Sequence, residues 1–364
     1  MSKKLFPMIL TVVVWLTAAG CSGSKSSAPS RQTEAKAAAV TLTDNMGREV
    51  ELPSPVETAA VASRYNNELI RACGAIDRVI AVDANTAQDR EYWKMFDPAD
   101  QVIGKGQSEL NYERIVELNP QVLILPDNGS VAEAEEKLAP FGIKVFVISG
   151  YDTDDFKNQT ENIGIMFGVE ESASKFYTYF NDKLRYIQSQ LQGKPRRSMY
   201  LETTTEYSTV VPGNAFYGMG EAAEVFNIFS ENIDTVNANA VDPEEVIVRA
   251  PDTIIKLITP AQAMQGTGLY HPPEKQQFVD TLKVIQSRPG WDSIPAVRNN
   301  DIFMMTQFSH GGASKLVGAC YIAKWVYPDL LPDLDPEEVF RAWMEDFQGF
   351  DNIEGHFYAA RDLP

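Results

Sequence analysis

The chain runs to 364 residues, 44% apolar and 23% charged, which is enough for about two ordinary domains with sizeable cores. Its formal charge of −18 argues against nucleic acid or anionic lipid as the main partner, yet leaves room for a basic pocket. The three cysteines show no metal-type spacing.

Residues 1–21 read as a targeting segment. Lys3 and Lys4 form a positive start, and Leu5 to Leu16 is an apolar run too short to span a bilayer unless extended. Small residues then lead to Cys21 in LTAAGC. This stretch resembles the lipobox of bacterial lipoproteins, in which the Cys is lipidated and becomes the first mature residue; Ala18 stands where Leu is more usual. The alternative is a plain secretory leader with an incidental Cys. Residues 22–39 lack bulky apolar side chains and read as a flexible tether, spanning on the order of 24 Å.

Val40 to Leu52 alternates about a turn at Asn45-Met46-Gly47, the pattern of a β-hairpin. Val56 to Val61 follows as a strand; SRYNNELIRACGAIDRVIAVD then gives loop, helix and strand, with Gly74 closing the helix. A long loop-rich stretch leads to YERIVELNPQVLIL (Tyr112 to Leu125), and LAPFGIKVFVIS ends the half with a short helix and a strand.

From Gly168 to Pro195 the chain predicts one long helix. Ala173, Phe176, Tyr177, Phe180, Leu184, Ile187 and Leu191 recur at steps of three and four, and Gly193 with Pro195 stops the run. Roughly 22 residues at about 1.5 Å each give a rod of about 33 Å. We read it as a rigid strut between two lobes; the alternative is a core helix of one large domain.

Beyond the strut come a strand, a polar loop and a helix, then PEEVIVRAPDTIIKL (Pro243 to Leu257). Here a Glu stands seven residues ahead of a Pro, as it does in the first half (Glu113 to Pro120, Glu244 to Pro251). Each Pro leads into a run of Val, Ile and Leu, which spells helix, stop and buried parallel strand twice over. A long loop, a helix (EKQQFVDTLKVIQS), a strand (DIFMMT) and two more helices complete the half. Cys73 and Cys320 fall in apolar helical patterns and read as buried free thiols.

The stretches TDNMGREVELP, ELIRACGAIDRVIAVD, NYERIVELNPQVLIL, LAPFGIKVFVI, VDPEEVIVRAPDTIIKLI and RPGWDSIPAVRNNDIFMM, in this order, resemble the ABC-transporter substrate-binding proteins for iron complexes and cobalamin. The likeness covers roughly Val40 to Asp346. It implies an α/β fold of two Rossmann-like lobes joined by one long rigid helix, with the ligand cleft between the lobes. The expected divisions are a signal peptide (1–21), a tether (22–39), an N-terminal lobe (40–167), the interlobe helix (168–194) and a C-terminal lobe (195–364). The likeness also implies a monomer with no enzymatic activity and no intrinsic cofactor, held to the membrane only by its lipid anchor. Its partners would be a metal chelate (ferric siderophore first, cobalamin or haem behind it), an ABC permease and the permease's ATPase.

Ligands in open parallel sheets sit beyond the carboxyl ends of the strands, so the loops leaving predicted strands form the candidate site. They carry Arg64, Tyr65, Asn66, Tyr92, Trp93, Lys105, Asp127, Asn128, Tyr151, Thr204, Tyr207, Phe216, Tyr217, Gln262, Gln265, Phe308 and His310. Rings and cations of this kind suit a large planar or chelated ligand; each residue taken alone also fits a solvated loop or the core. With only three histidines the chain is a poor candidate for a naked transition metal, although His310 can reach into the cleft toward a bound metallocycle. In the family an acidic residue at each lobe tip meets the permease. By position in the repeat these are Glu133, with Glu135 and Glu136 as rivals, and Glu274, with Glu221 as a fallback. Each can equally serve as a helix-start charge. Competing functions are a secreted α/β hydrolase, for which no nucleophile elbow, P-loop or HExxH is present, and a surface sensor or adhesin on the same fold.

Overall fold

The alternation about Asn45 produces a hairpin, β1 (Ala38–Thr43) paired antiparallel with β2 (Glu49–Ser54). The computed structural model describes residues 38–212, 215–231, 240–259, 270–309, 311–351 and 354–364. Cys21, the leader and almost all of the tether lie outside these, as do Gln262, Gln265 and His310.

After the hairpin the chain builds a parallel sheet. β3 (Ala59–Val61) leads to α1 (Arg64–Ala72), β4 (Val79–Val82) and the short α2 (Ala84–Ala87). A small hairpin of β5 (Gly104–Gly106) and β6 (Glu109–Leu110) precedes α3 (Tyr112–Leu118), β7 (Val122–Leu125), α4 (Val131–Leu138) and β8 (Lys144–Val147). The spatial order is β4-β3-β7-β8, all parallel. One sequence expectation needs adjusting here. Arg64, Tyr65 and Asn66, expected in a loop, form the first turn of α1, because Ser63 turns the chain into the helix soon after the strand.

Two helices separate this sheet from the next: α5 (Phe156–Phe167) and the 22-residue α6 (Glu170–Leu191). On α6, Ala173, Phe176, Phe180, Ile187 and Leu191 are buried, as the periodicity requires, while Tyr177 and Leu184 are half-buried at the stripe's edge. Gly168, in the left-handed region at φ +69°, makes the sharp turn between the two helices.

The second sheet repeats the first. β9 (Ser198–Glu202), α7 (Ala215–Ala222), β10 (Phe226–Asn227), α8 (Pro243–Arg249), β11 (Thr253–Ile258), α9 (Lys275–Gln286), α10 (Pro295–Arg298) and β12 (Ile302–Thr306) follow in turn. The order is β10-β9-β11-β12, parallel throughout, extended at one edge by the antiparallel β13 (Phe357–Ala359). Numbered within each half, both sheets therefore run 2-1-3-4.

The duplicated motif is matched in atomic detail. α3 and α8 are each capped by a side chain, Asn111 accepting from the Arg114 N–H and Asp242 from the Glu244 N–H. Both end on a left-handed residue, Asn119 at φ 49° and Ala250 at φ 45°. Pro120 and Pro251 then bar continuation, and the fully buried β7 and β11 follow.

The last segments are α11 (Lys315–Val326) and α12 (Pro336–Ala342), which runs into a π-helical turn at Trp343–Gln348. These residues return to the strut: Phe176 of α6 meets Phe347 at 5.0 Å and Trp343 at 6.1 Å between ring centroids. Cys73 and Cys320 are buried free thiols in the core. Among the described residues no helix is long and apolar enough to cross a membrane.

Candidate ligand site

In a 2-1-3-4 parallel sheet the loops after strands 1 and 3 leave in opposite directions, opening a crevice at the carboxyl edge. The first sheet has such a crevice, a hollow of about 400 Å³. Ser63, Arg64 and Tyr65 reach it from the end of β3, and Asp83, Asn85 and Gln88 from the end of β4. Pro126 and Asn128 follow β7, Tyr151 follows β8, and Gln107 comes from the β5–β6 turn. A larger groove of about 750 Å³ at the end of α6 (Arg185, Lys194, Arg196) opens toward the amino end of β9, the wrong end of the sheet for such a ligand.

The hollow is polar and its lining is braced. Tyr151 donates its hydroxyl to Asp127 at 2.5 Å, and burial followed by that carboxylate pushes the phenol up to about 12, so it stays a donor at neutral pH. Asn66 lies just behind, its carbonyl accepting from the Gly150 N–H at 2.8 Å. The Arg64 guanidinium donates to the Tyr65 hydroxyl at 2.9 Å. Burial lowers its pKa, but Tyr65, Tyr270 and Glu68 outweigh burial and raise it overall, so a fixed positive charge stands at the rim. Ser63 sits at φ 116°, a backbone region that costs a non-glycine residue about 1–3 kcal/mol and persists where surrounding structure holds it. Its N–H points at Asp83 Oδ1, 3.3 Å away.

The second lobe meets this rim at Gly311 and Gly312. A Cβ on Gly311 would lie 2.8 Å from the Tyr65 ring, and one on Gly312, at φ +59°, would collide with the Gly150 carbonyl. Only glycine allows this approach. The Gly312 N–H donates to the Tyr151 carbonyl at 3.3 Å, and Lys315 Nζ donates to Thr153 Oγ1 at 3.1 Å.

Behind them lies a buried cluster that joins distant parts of the chain. The Tyr270 hydroxyl donates to Glu68 Oε1 at 2.5 Å, and its ring stacks on Tyr92 at 3.5 Å. Gln348 accepts from the Tyr92 hydroxyl at 3.0 Å and donates to the Glu68 carbonyl at 3.0 Å. Arg71 lies 3.8 Å over Trp93 and 4.8 Å over Tyr92. Burial raises the Glu68 carboxyl, with Arg64 and the Tyr270 hydrogen bond opposing it.

In the second sheet the carboxyl end of β9 carries a saturated ion cluster. Glu202 takes a two-pronged bond from Arg288 (2.8 and 2.9 Å) and a third from Lys256 at 2.8 Å. Burial pushes its pKa up, but Arg288 and Lys256 hold it below the usual carboxylate range. The Tyr207 N–H also donates to Glu202, at 3.1 Å, and its ring covers Arg288 at 4.5 Å.

Of the residues singled out from the sequence, Arg64, Tyr65, Asn128 and Tyr151 line the hollow, with Asn66 and Asp127 in support. Trp93 and Phe308 are buried among other rings, and Phe216 lies in the core. Tyr207 and Tyr217 are half-buried in the second lobe. Lys105 is exposed and paired with Glu109 at 2.9 Å, outside the hollow. Glu133 is exposed in the first turn of α4, and Glu274 is exposed at the start of α9. Sequence reasoning missed Asp83, Asn85, Gln88, Glu68, Tyr270 and Gln348. Asp83 was detectable as the polar residue closing the VIAV strand; the others had no local signal. Among the described residues no group of three His, Cys, Asp or Glu side chains can hold a bare metal ion.

Two parallel sheets of one topology, separated in the chain by α5 and the long α6, with a polar crevice at the carboxyl edge of the first that Gly311 and Gly312 approach, define a bilobed solute-binding protein. Residues 60–307 match the periplasmic binding protein family, and the chain belongs to it. It is 21% identical over 335 residues to the uncharacterized ABC transporter substrate-binding lipoprotein YvrC of Bacillus subtilis (strain 168), covering 89% of this chain and 97% of the relative. A vitamin B12-binding protein of Vibrio parahaemolyticus serotype O3:K6 is 22% identical over 258 residues, 69% of this chain and 82% of the relative. Among solved structures, the TroA-like periplasmic binding protein FepB from Veillonella parvula superposes with a TM-score of 0.72 at 20% identity, covering 88% and 99% of the two chains. The chain is thus an extracytoplasmic-type substrate-binding protein of an ABC importer, and not an enzyme.

Proposed function

We propose that this protein is a membrane-tethered receptor that captures a metal chelate, of ferric-siderophore or cobalamin class with haem third, and hands it to an ABC permease and its ATPase. The observation that carries the reading is the polar hollow at the carboxyl edge of the first sheet, rimmed by Arg64, Tyr65 and Tyr151 and faced by the second lobe. A bare ion needs a tight shell of ligands, whereas a chelate brings its own and asks the protein for hydrogen bonds and rings around its periphery. A relative named as a vitamin B12-binding protein supports the chelate class. Cys21 in LTAAGC, with a lipoprotein relative, supports a lipid anchor at that residue.

The test is binding. Protein purified from its own host is analysed by native mass spectrometry and absorption, then titrated with ferrioxamine B, cyanocobalamin and haemin while tryptophan fluorescence is followed. We expect quenching with a Kd of about 1 μM or tighter for one of the three, equivalent to roughly 8 kcal/mol. Folded protein that carries no chromophore and binds none of them would end the proposal.

A further inference from the structure

Asp83 stands where β4 delivers its chain into the hollow, and its side chain is completely buried. Oδ1 is fully engaged, accepting from the Ser63 N–H at 3.3 Å and the Thr86 hydroxyl at 2.5 Å. The direction of that second bond is set: Thr86 Oγ1 itself accepts from Asn67 Nδ2 at 3.3 Å, which leaves its proton for Asp83. Oδ2, by contrast, has no hydrogen-bond partner among the described residues. The groups that favour the carboxylate's charge are the Thr86 hydroxyl and backbone N–H groups, which burial opposes.

Beside Oδ2 the sequence places Gly106. This glycine is not there for its backbone, since its φ lies outside the left-handed region. It is there for clearance. A Cβ at Gly106 would come within 2.9 Å of Asn85 Nδ2 and 3.9 Å of Asp83 Oδ2, so any side chain here would crowd both. The strained Ser63 holds the other side of the carboxylate in place. A buried acceptor with one lobe pinned and the other unmatched, on a residue that lines the hollow, is suited to receive a donor.

We propose that Asp83 sets ligand specificity in the first lobe by accepting a hydrogen bond from an N–H or O–H group (primary amide, hydroxyl or ammonium) on a peripheral arm of the bound chelate. Asn85 and Gly106 frame the arm's entry. The inference rests on the chelate-receptor reading and narrows it. Chelates whose periphery carries amides or amines fit; those that end in carboxylates, such as haem with its propionates, meet an acceptor with an acceptor.

The test uses two matched pairs of probes with the full-length protein. One is ferrioxamine B and the analogue that ends in methyl where ferrioxamine B carries its ammonium. The other is cyanocobalamin and derivatives with one peripheral amide hydrolysed to carboxylate. Wild-type protein should bind the donor-bearing member of its pair about tenfold tighter or more, the size expected of one charge-assisted hydrogen bond. Asp83→Asn keeps Oδ1 as the acceptor for Ser63 and Thr86 and turns the other position into a donor. It should remove the preference or invert it toward the carboxylate. Gly106→Ser leaves Asp83 in place but sets a Cβ 3.9 Å from its Oδ2 and a hydroxyl able to donate to it, and should weaken the donor-bearing member more than its partner. Wild-type binding to a pair without discrimination overturns this inference alone, and so does an Asp83→Asn variant that keeps the full preference. Wild-type failure to bind any chelate overturns the receptor reading, and this inference with it. The wild-type comparison needs no variant to fold.

Discussion

Asp83 and Glu202 show how the same residue type serves opposite ends. Both carboxyls are fully buried at the carboxyl end of a strand, β4 in the first sheet and β9 in the second. Glu202 is matched by Arg288 and Lys256 and anchors the loop that carries Tyr207. Asp83 is only half matched, and burial raises its pKa above the usual carboxylate range, against the opposing pull of Thr86 and Ser63. The folded chain therefore holds this proton to higher pH than the unfolded chain. Its contribution to stability falls as pH rises from about 4 through the folded-state value. Asp83→Asn should accordingly stabilise the ligand-free protein at about pH 8, and the gain should shrink toward zero near pH 4. Urea midpoints at the two pH values decide it; an equal gain at both, or a loss at the higher, contradicts the assignment.

Among the elements, α6 bears most on how the halves are joined. Phe176, completely buried, touches Phe156 and Phe180 on the first-lobe side and Trp343 and Phe347 from the returning C-terminal segment. One ring thus ties three parts of the chain into one core. Phe176→Ala should cost about 3–5 kcal/mol in urea unfolding, the range for deleting a buried aromatic ring. A loss below about 1 kcal/mol would mean that the strut is held elsewhere. The paired motif α3–β7 and α8–β11 makes a further point about elements. Its left-handed cap residues, Asn119 and Ala250, differ chemically yet share the αL conformation that closes a helix, and the proline after each bars its continuation.

For the whole molecule, the two rims touch at Gly311–Gly312 against Tyr65 and Gly150, while α6 and the C-terminal return hold the opposite side. Such an arrangement favours a small hinge over a wide opening. It leaves α4 and α9, which follow the equivalent strands β7 and β11, presenting Glu133 and Glu274 to solvent. As permease contacts, these should be separable from ligand capture. Glu133→Lys combined with Glu274→Lys should abolish chelate uptake in cells, with Kd for the purified protein changed by less than about twofold, since neither residue lines the hollow and exposed charges contribute little. Normal uptake in the double variant would remove the assignment.

Local chemistry alone determined the hairpin, the strut, both copies of the helix–proline–strand motif and the burial of the two thiols. Each depends on periodicity, caps and breakers acting within a dozen residues, so each is written where it acts. The site was legible only as far as its strand ends were, which brought in Arg64, Tyr65, Asn128 and Tyr151 but also Trp93 and Phe308, rings that the fold turns inward. Tertiary structure decided the rest. Tyr270 and Glu68 stand 202 residues apart and Gln348 and Glu68 280 apart, so only the placement of one sheet against the other could bring them together. Whether a carboxylate such as Asp83 or Glu202 is matched or left with an acceptor to offer depends on which side chains arrive from elsewhere in the chain, and that is set by packing rather than by its sequence neighbours.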